Sequence, residues 1–276
     1  MWKDTLIRTV SAAVGLILFF IVIFLDPMVL RVAVGILSLM MVYETMHAFG
    51  FKPFLTALAC LGSLGILLSI YMGGYTAFTV AFALTASFMA IYALKHHETM
   101  AFSDVSGGVF MIVYIICFMQ CICLVRGSDI TGLILMFMIF ICAWISDTGA
   151  YFTGKMLGKH KLIEKISPKK TVEGAIGGVV FSALGGLILG LVAQLGFHLE
   201  ANYLLLALTG MVGSVFGQVG DLIASWLKRQ YGIKDFGNIM PGHGGAMDRF
   251  DSVVLAAPFV YFLVHYLPEI GLYLIR

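Results

Sequence analysis

Charged residues are scarce in this chain of 276 residues: 12% are Asp, Glu, Lys or Arg, whereas a soluble globular domain has about 25%. Hydrophobic residues make up 61%, and the mean hydropathy is +1.00. This composition excludes a soluble enzyme, a disordered protein and a fibrous protein. The net charge of +2 is also too small to indicate a nucleic-acid partner.

Cysteine patterns typical of disulfide frameworks or metal sites are absent. The five cysteines all lie inside apolar runs, and none has a metal-site spacing with histidines: Cys60, Cys117, Cys121, Cys123 and Cys142. We interpret them as small buried apolar residues.

The apolar residues form long continuous runs, whereas the strands of an outer-membrane barrel alternate in polarity. A membrane-spanning helix needs about 20 mostly apolar residues. Nine candidate spans meet this criterion: 10–25, 28–46, 54–73, 75–94, 106–125, 130–150, 174–195, 201–221 and 252–273. No small-x-small cleavage site follows the first, so we interpret it as an uncleaved anchor. The predicted fold is an all-α, polytopic membrane bundle of about nine transmembrane helices.

The basic residues lie almost entirely on one side of this nine-span arrangement. The N-terminus, the short connections on its side and two long loops, 151–173 and 222–251, together hold 14 of the 17 Lys and Arg residues. The positive-inside rule therefore predicts that the N-terminus and both loops are cytoplasmic and the C-terminus is outside. We expect a single domain, 1–276, with N-terminal spans in 1–126 and a catalytic part in 130–276.

Four aspartates mark the cytoplasmic ends of predicted spans: Asp147, Asp221, Asp248 and Asp251. Ionisable groups at membrane depth are costly and usually functional. If the eighth span continues, Asp221 shares a helix face with Ser225, Lys228 and Arg229. Carboxylates beside clustered cations suit Mg²⁺ and phosphate chemistry, because carboxylates hold Mg²⁺ and cations hold phosphate oxygens. The alternative is that they are ordinary interfacial charges.

Glycines are concentrated in the second long loop. Gly242, Gly244 and Gly245 flank His243, and Gly237 precedes them. Such a run lets backbone N–H groups approach an anion closely, although a merely flexible loop is the alternative. His243 is a candidate phosphate donor, general acid or structural hydrogen-bonding residue.

Three Gly-x-x-x-Gly pairs lie within the predicted seventh and eighth spans, at 174–178, 186–190 and 213–217. Small residues at this spacing predict close helix packing inside the bundle, and they would also allow a homodimer.

The C-terminal motifs resemble the signature of the phosphatidate cytidylyltransferases, also called CDP-diacylglycerol synthases. In order, they are Ser225-Trp226-Leu227-Lys228-Arg229, Lys234-Asp235-Phe236-Gly237, Pro241-Gly242-His243-Gly244-Gly245 and Asp248-Arg249-Phe250-Asp251. Met240 and Ala246 depart mildly from the pattern. Family-like character extends upstream to 146–151, 167–174 and 220–221, and the length and layout resemble bacterial members.

This resemblance implies the reaction CTP + phosphatidate → CDP-diacylglycerol + pyrophosphate at the cytoplasmic face of the cell's inner membrane. It implies Mg²⁺, with a second cation left open, and the substrates CTP and phosphatidate within a lipid bilayer. We assign Asp221, Asp248 and Asp251 as metal ligands. The candidate phosphate-binding cations are Lys170, Lys228, Arg229, Lys234 and Arg249. Ser225, His243, Gly244 and Gly245 are candidate hydrogen-bonding or substrate-binding residues, and Asp147 and Glu173 rank second.

Two other functional classes remain open at the level of sequence. A CTP-dependent polyprenol or lipid kinase would share distant motif similarity. An ion-coupled transporter would place its acids near mid-helix in broken spans. A CDP-alcohol phosphotransferase is disfavoured because its D-G-x-x-A-R signature is absent.

Overall fold

The structure, a computed structural model, describes residues 2–72, 74–239 and 244–276, with side chains described from residue 13 onward. The helices, in chain order, are α1 Trp2–Phe24, α2 Pro27–Ala48, α3 Pro53–Met72, α4 Gly74–Lys95, α5 Phe102–Arg126, α6 Ile130–Phe140, α7 Ser146–Leu157, α8 Val172–Phe197, α9 Tyr203–Gln230 and α10 Met247–Tyr266. A π-helical turn, Ile141–Ile145, joins α6 to α7, and a 3₁₀ turn, Pro268–Ile270, follows α10. Two short antiparallel strands, β1 Lys161–Ile163 and β2 Ser167–Thr171, form a hairpin before α8.

Polar residues at the ends of apolar runs set where several helices begin. Asp26 precedes Pro27 and accepts a hydrogen bond from the Met28 backbone N–H at 2.7 Å. Thr171 and Asn202 accept equivalent bonds at the starts of α8 and α9, each at 3.1 Å. Side-chain acceptors at this position satisfy N–H groups that have no partner within the helix.

The predicted polytopic helical fold is confirmed. Among the described residues, eight helical segments are long and apolar enough to cross a membrane, and they correspond to the second through ninth predicted spans. For the first predicted span, 10–25, the apolar part that the structure describes with side chains is Ala13–Phe24, which is shorter. The side chains of its first residues, 10–12, lie outside the described residues.

Helical structure extends into both regions predicted to be long loops. α9 continues to Gln230, so the predicted shared face from Asp221 to Arg229 lies on one helix. α7 continues to Leu157, and α10 begins at Met247 rather than at 252. The connecting segments therefore shorten to 158–171 and 231–246, because polar residues can extend a helix beyond the apolar part that marks a span.

The last predicted span, 252–273, also ends earlier than expected. α10 stops at Tyr266, and the chain then returns so that Ala201 pairs with Ile275. Glu200 and Arg276 exchange two backbone hydrogen bonds and form a side-chain ion pair of 2.5 Å. These contacts hold the C-terminal residues in an extended segment rather than in helix.

Two compact units are distinguished by their internal contacts. The first comprises Met1–Gln120 and Ile233–Arg249, and the second comprises Cys121–Gly232 and Phe250–Arg276. In the first unit α3 packs between α2 and α4, and its core includes the fully buried side chains Met41, Leu55 and Met111.

In the second unit α8 packs on α7 and α9, and the predicted glycine faces make these contacts close. A Cβ at Gly178 would lie 2.9 Å from the Ser146 carbonyl oxygen, and one at Gly186 would lie 2.5 Å from that of Leu206. A Cβ at Gly217 would lie 2.8 Å from the carbonyl oxygen of Cys142. The predicted packing role of these glycines is thus confirmed within the bundle, and the homodimer stays a prediction.

Candidate active site

Three carboxylates of the second unit lie close enough to interact electrostatically with one another: Asp147, Asp221 and Asp251. They come from three helices, α7, α9 and α10. Asp251 is buried, with 8% of its surface exposed, and the other two are partly exposed. We call this group the aspartate cluster.

Close helix packing brings the aspartate cluster together. Gly220 precedes Asp221 on α9, and a Cβ there would lie 2.6 Å from the Asp251 carbonyl oxygen. Asp147 lies in the first turn of α7, directly after the π-helical turn. Such turns insert an extra residue into a helix and often occur at functional sites.

Hydroxyl groups hydrogen-bond two of the carboxylates. The Ser225 hydroxyl donates to Asp221 Oδ1 at 3.2 Å, one helical turn along α9. The Ser252 hydroxyl donates to Asp147 Oδ2, also at 3.2 Å. Asp251 Oδ1 instead accepts from the Ser252 backbone N–H at 2.8 Å. These bonds fix the orientation of the cluster without neutralising it.

Two lysines provide positive charge beside the aspartate cluster. Lys170, on β2, places its Nζ 2.5 Å from Asp221 Oδ2 and also interacts with Asp147. Lys228 interacts electrostatically with Asp251. Both side chains of the Lys170–Asp221 pair are about a quarter exposed, but the Lys170 Nζ atom itself is buried. The three carboxylates repel one another, so an additional cation among them would reduce this repulsion.

The hairpin that carries Lys170 is anchored at both ends. Arg229 Nε donates to the Ile166 carbonyl oxygen at 3.5 Å, beside the turn. Glu173, at the start of α8, accepts from the backbone N–H groups of Lys159 and His160 and pairs with His160 Nδ1 at 2.6 Å. Glu173 thus holds the base of the hairpin, and Arg229 holds its tip.

The remaining predicted site residues belong to the first unit, around the segment 233–249. Asp248 Oδ2 accepts two backbone hydrogen bonds, from Phe236 N at 2.8 Å and from Gly245 N at 3.0 Å. Gly244 has φ +87°, which favours glycine, and a Cβ there would lie 3.1 Å from the same oxygen. Asp248 therefore joins the two ends of this loop. Its predicted pairing with Asp221 stays a prediction.

Lys234, near the start of this loop, and Arg249, in the first turn of α10, are both exposed. His243, with the neighbouring Met240, Pro241 and Gly242, lies outside the described residues, so its predicted role is untested.

From the sequence, Asp147 was a second-rank candidate for the site, and Ser252 and Glu44 were assigned no role. Asp147 was visible as an acid at the end of an apolar span, but only the tertiary structure shows that it lies near Asp221. Ser252 carried no signal of its own. Glu44 did carry a sequence signal, because it is the single acidic residue in the predicted span 28–46. In the structure this residue is 2% exposed.

The aspartate cluster fits Mg²⁺ in its donor chemistry, because carboxylate and hydroxyl oxygens are the ligands that this ion prefers. In the described part of the chain, no group of three or more His, Cys, Asp or Glu side chains has the arrangement of a ready-made metal site. The ammonium group of Lys170 lies directly on one oxygen of Asp221. The residues therefore offer suitable ligands for Mg²⁺, but the charge of Asp221 is already balanced by Lys170.

Comparisons with known proteins agree with the motifs. Residues 6–267 match the model of the cytidylyltransferase family. A Bacillus subtilis protein named phosphatidate cytidylyltransferase is 45% identical over 174 residues, which is 63% of each chain. Proteins of the same name from Staphylococcus epidermidis and Staphylococcus aureus are 33% and 34% identical over 263 residues, which is 94% of this chain and 98% of theirs.

Proposed function

We infer that this chain, which belongs to the cytidylyltransferase family, transfers CMP from CTP to phosphatidate and releases pyrophosphate. The observation that carries this inference is the family match along nearly the whole chain, supported by relatives named phosphatidate cytidylyltransferase. The product is CDP-diacylglycerol, a precursor in phospholipid synthesis. The many apolar helices would place the protein in the bilayer, where its lipid substrate resides.

The transfer joins one phosphate oxygen of phosphatidate to the α-phosphorus of CTP. The bond between that phosphorus and the α,β-bridging oxygen breaks, and pyrophosphate leaves with the bonding electrons. The attacking oxygen is already ionised near neutral pH, so no strong general base is needed. The main obstacle is repulsion between two anionic substrates, which catalysis must reduce by electrostatic stabilisation.

The lysines beside the aspartate cluster are suited to this task. Lys170 and Lys228 would bind phosphate oxygens, because each ammonium group offers three hydrogen-bond donors. Arg229 would keep the hairpin, and with it Lys170, against α9. Ser225 would orient the Asp221 carboxylate. Lys234 and Arg249 are further candidates for the second anionic substrate.

Asp221 and Asp251, with Asp147 beside them, would hold Mg²⁺, which would supply positive charge to the phosphates and to the departing pyrophosphate. Asp248 is the other proposed ligand, through its carboxylate at the start of α10. The mutual repulsion of the carboxylates in the aspartate cluster supports this proposal.

We place the aspartate cluster at the cytoplasmic boundary of the cell membrane. The hairpin and the adjoining ends of α7 and α9 carry most of the basic residues of the second unit, and basic segments remain on the cytoplasmic side. This side also provides access to CTP, whereas the acyl chains of phosphatidate stay in the bilayer.

Purified protein in mixed micelles with phosphatidate and Mg²⁺ tests the reaction. We expect CDP-diacylglycerol and pyrophosphate in equal amounts, with CTP or dCTP and not with ATP or GTP. Turnover of ATP at the same rate, or release of inorganic phosphate or CDP in place of pyrophosphate, would indicate a kinase or hydrolase and overturn the proposal. Omission of phosphatidate is the control.

A further inference from the structure

We propose that Glu44, on α2, is a positioning residue that fixes the segments 233–239 and 244–246, which we call the two limbs of the loop, and the start of α10 for the transfer reaction. The inference rests on the proposed function, and all of its contacts lie within the first unit. No motif of the sequence includes this residue.

The carboxylate of Glu44 binds the first turn of α10 from another helix. Its Oε2 accepts the backbone N–H of Met247 at 3.0 Å, and the backbone of Ala246 also hydrogen-bonds to the carboxylate. These N–H groups have no acceptor within α10, because they lie at its beginning. Glu44 therefore caps a helix that starts 203 residues later in the sequence, directly before Asp248.

The same carboxylate lies between the two limbs of the loop. A Cβ at Gly237 would lie 2.5 Å from Glu44 Oε1, and a Cβ at Gly245 would lie 2.5 Å from Oε2. Neither glycine has a positive φ, so the contact with Glu44 is what restricts these positions to glycine. Glu44 thus sets the spacing between the limbs.

Asp248 joins the two limbs that Glu44 separates, through its bonds to Phe236 N and Gly245 N. Displacement of Glu44 would therefore move Asp248, Gly244 and Gly245 together. Glu44 Oε1 makes no hydrogen bond with any described residue, although the side chain is only 2% exposed. A buried carboxylate whose oxygen accepts no hydrogen bond costs folding free energy. The role of Glu44 in positioning the loop explains why an acid is present at this site.

A double-mutant cycle between Glu44 and Gly237 tests the proposal. We expect Glu44→Ala to lower kcat at least about tenfold, with a smaller change in the KM for CTP. Glu44→Gln should stay within about threefold of the wild type, because it keeps an oxygen acceptor for the Met247 N–H. Gly237→Ala should lower kcat in the wild-type background and have little further effect in the Glu44→Ala background, because the group it would meet is gone.

Ser38→Ala is the matched control, since Ser38 is also buried on α2 but its hydroxyl bonds only to the Val34 carbonyl oxygen of the same helix. Equal effects of Gly237→Ala in both backgrounds would overturn the proposal, as would a Glu44→Gln variant as impaired as Glu44→Ala. Hydrogen exchange separates the two hypotheses: the Met247 amide should exchange at least about tenfold faster in Glu44→Ala. That result would stand even if the wild type formed no CDP-diacylglycerol, in which case only the proposed function would fail.

Discussion

At the scale of single residues, the aspartate cluster concentrates negative charge where the substrates also bring negative charge. This combination is productive only if cations lie between the carboxylates and the phosphates. The lysines supply part of that positive charge, and the proposed metal would supply the rest. The charge of each aspartate, rather than its hydrogen bonds alone, should therefore be required for activity.

Replacing Asp221 or Asp248 by Asn keeps the size of the side chain and one oxygen acceptor but removes the charge. We expect each replacement to lower turnover by about 10²–10³, which corresponds to a loss of about 3–4 kcal/mol of transition-state stabilisation. The measurement is CDP-diacylglycerol formation across a Mg²⁺ titration at matched expression. Asp235→Asn is the milder comparison, because Asp235 is exposed in the loop.

An Asp248→Asn variant with wild-type activity and an unchanged Mg²⁺ requirement would show that Asp248 serves only to join the two limbs of its loop. The metal assignment would then be wrong for this residue.

Adjacent lysines on β2 provide a matched pair. Lys170 pairs with Asp221, whereas Lys169 is exposed. We expect Lys170→Gln to reduce kcat/KM by about 10², as for the loss of one charge-stabilising donor, and Lys169→Gln to change it little. Separate titrations of CTP and phosphatidate would show which phosphate Lys170 binds. Equal effects of the two replacements would mean that the hairpin contributes only its overall charge.

At the scale of helices, glycine contacts determine how closely the functional side chains approach. Gly220 allows α9 to lie against the backbone of α10 beside Asp251, and Gly217 allows it to lie against the π-helical turn. Neither glycine has a positive φ, so their role in these contacts is steric. The site therefore depends on helix packing as directly as on its charged residues.

Gly220→Ala should destabilise the protein, because the added methyl group would meet the Asp251 carbonyl oxygen at 2.6 Å and that backbone cannot move without shifting α10. Overpacking of this kind costs about 1–3 kcal/mol. Gly196→Ala, on α8, is the control: nothing lies within 4 Å of its added Cβ, and alanine favours helix. Thermal unfolding in detergent should show a lower midpoint for the first variant only.

At the scale of the whole molecule, the helical segments and the charge distribution predict a definite topology. α8 lies between Lys161, in the hairpin, and Glu200, beside the C-terminal segment. In a background without the five native cysteines, cysteines introduced at these two positions should label from opposite sides of the membrane. An impermeant maleimide applied to intact cells should reach the residue at 200 and not the one at 161. Labelling of both from the same side would contradict the topology.

The sequence alone determined the membrane class, eight of the helical spans and the close packing of helices at the glycine pairs. These features depend on local properties, namely apolar run length and the spacing of glycines. The cytidylyltransferase signature was also local, because its residues follow one another within a short part of the chain. The positions of the helix ends were predicted less accurately, because the polar continuation of α9 and the early end of α10 depend on contacts rather than on hydropathy.

Only the tertiary structure decided which of these residues meet. Asp147 and Ser252 lie 105 residues apart in the sequence and are hydrogen-bonded in the fold, and Glu44 caps a helix 203 residues away. No periodicity links such positions, because their approach depends on the packing of whole helices across glycine contacts. The chain thus encoded the chemical groups of its site locally, whereas their arrangement arose from packing between distant segments.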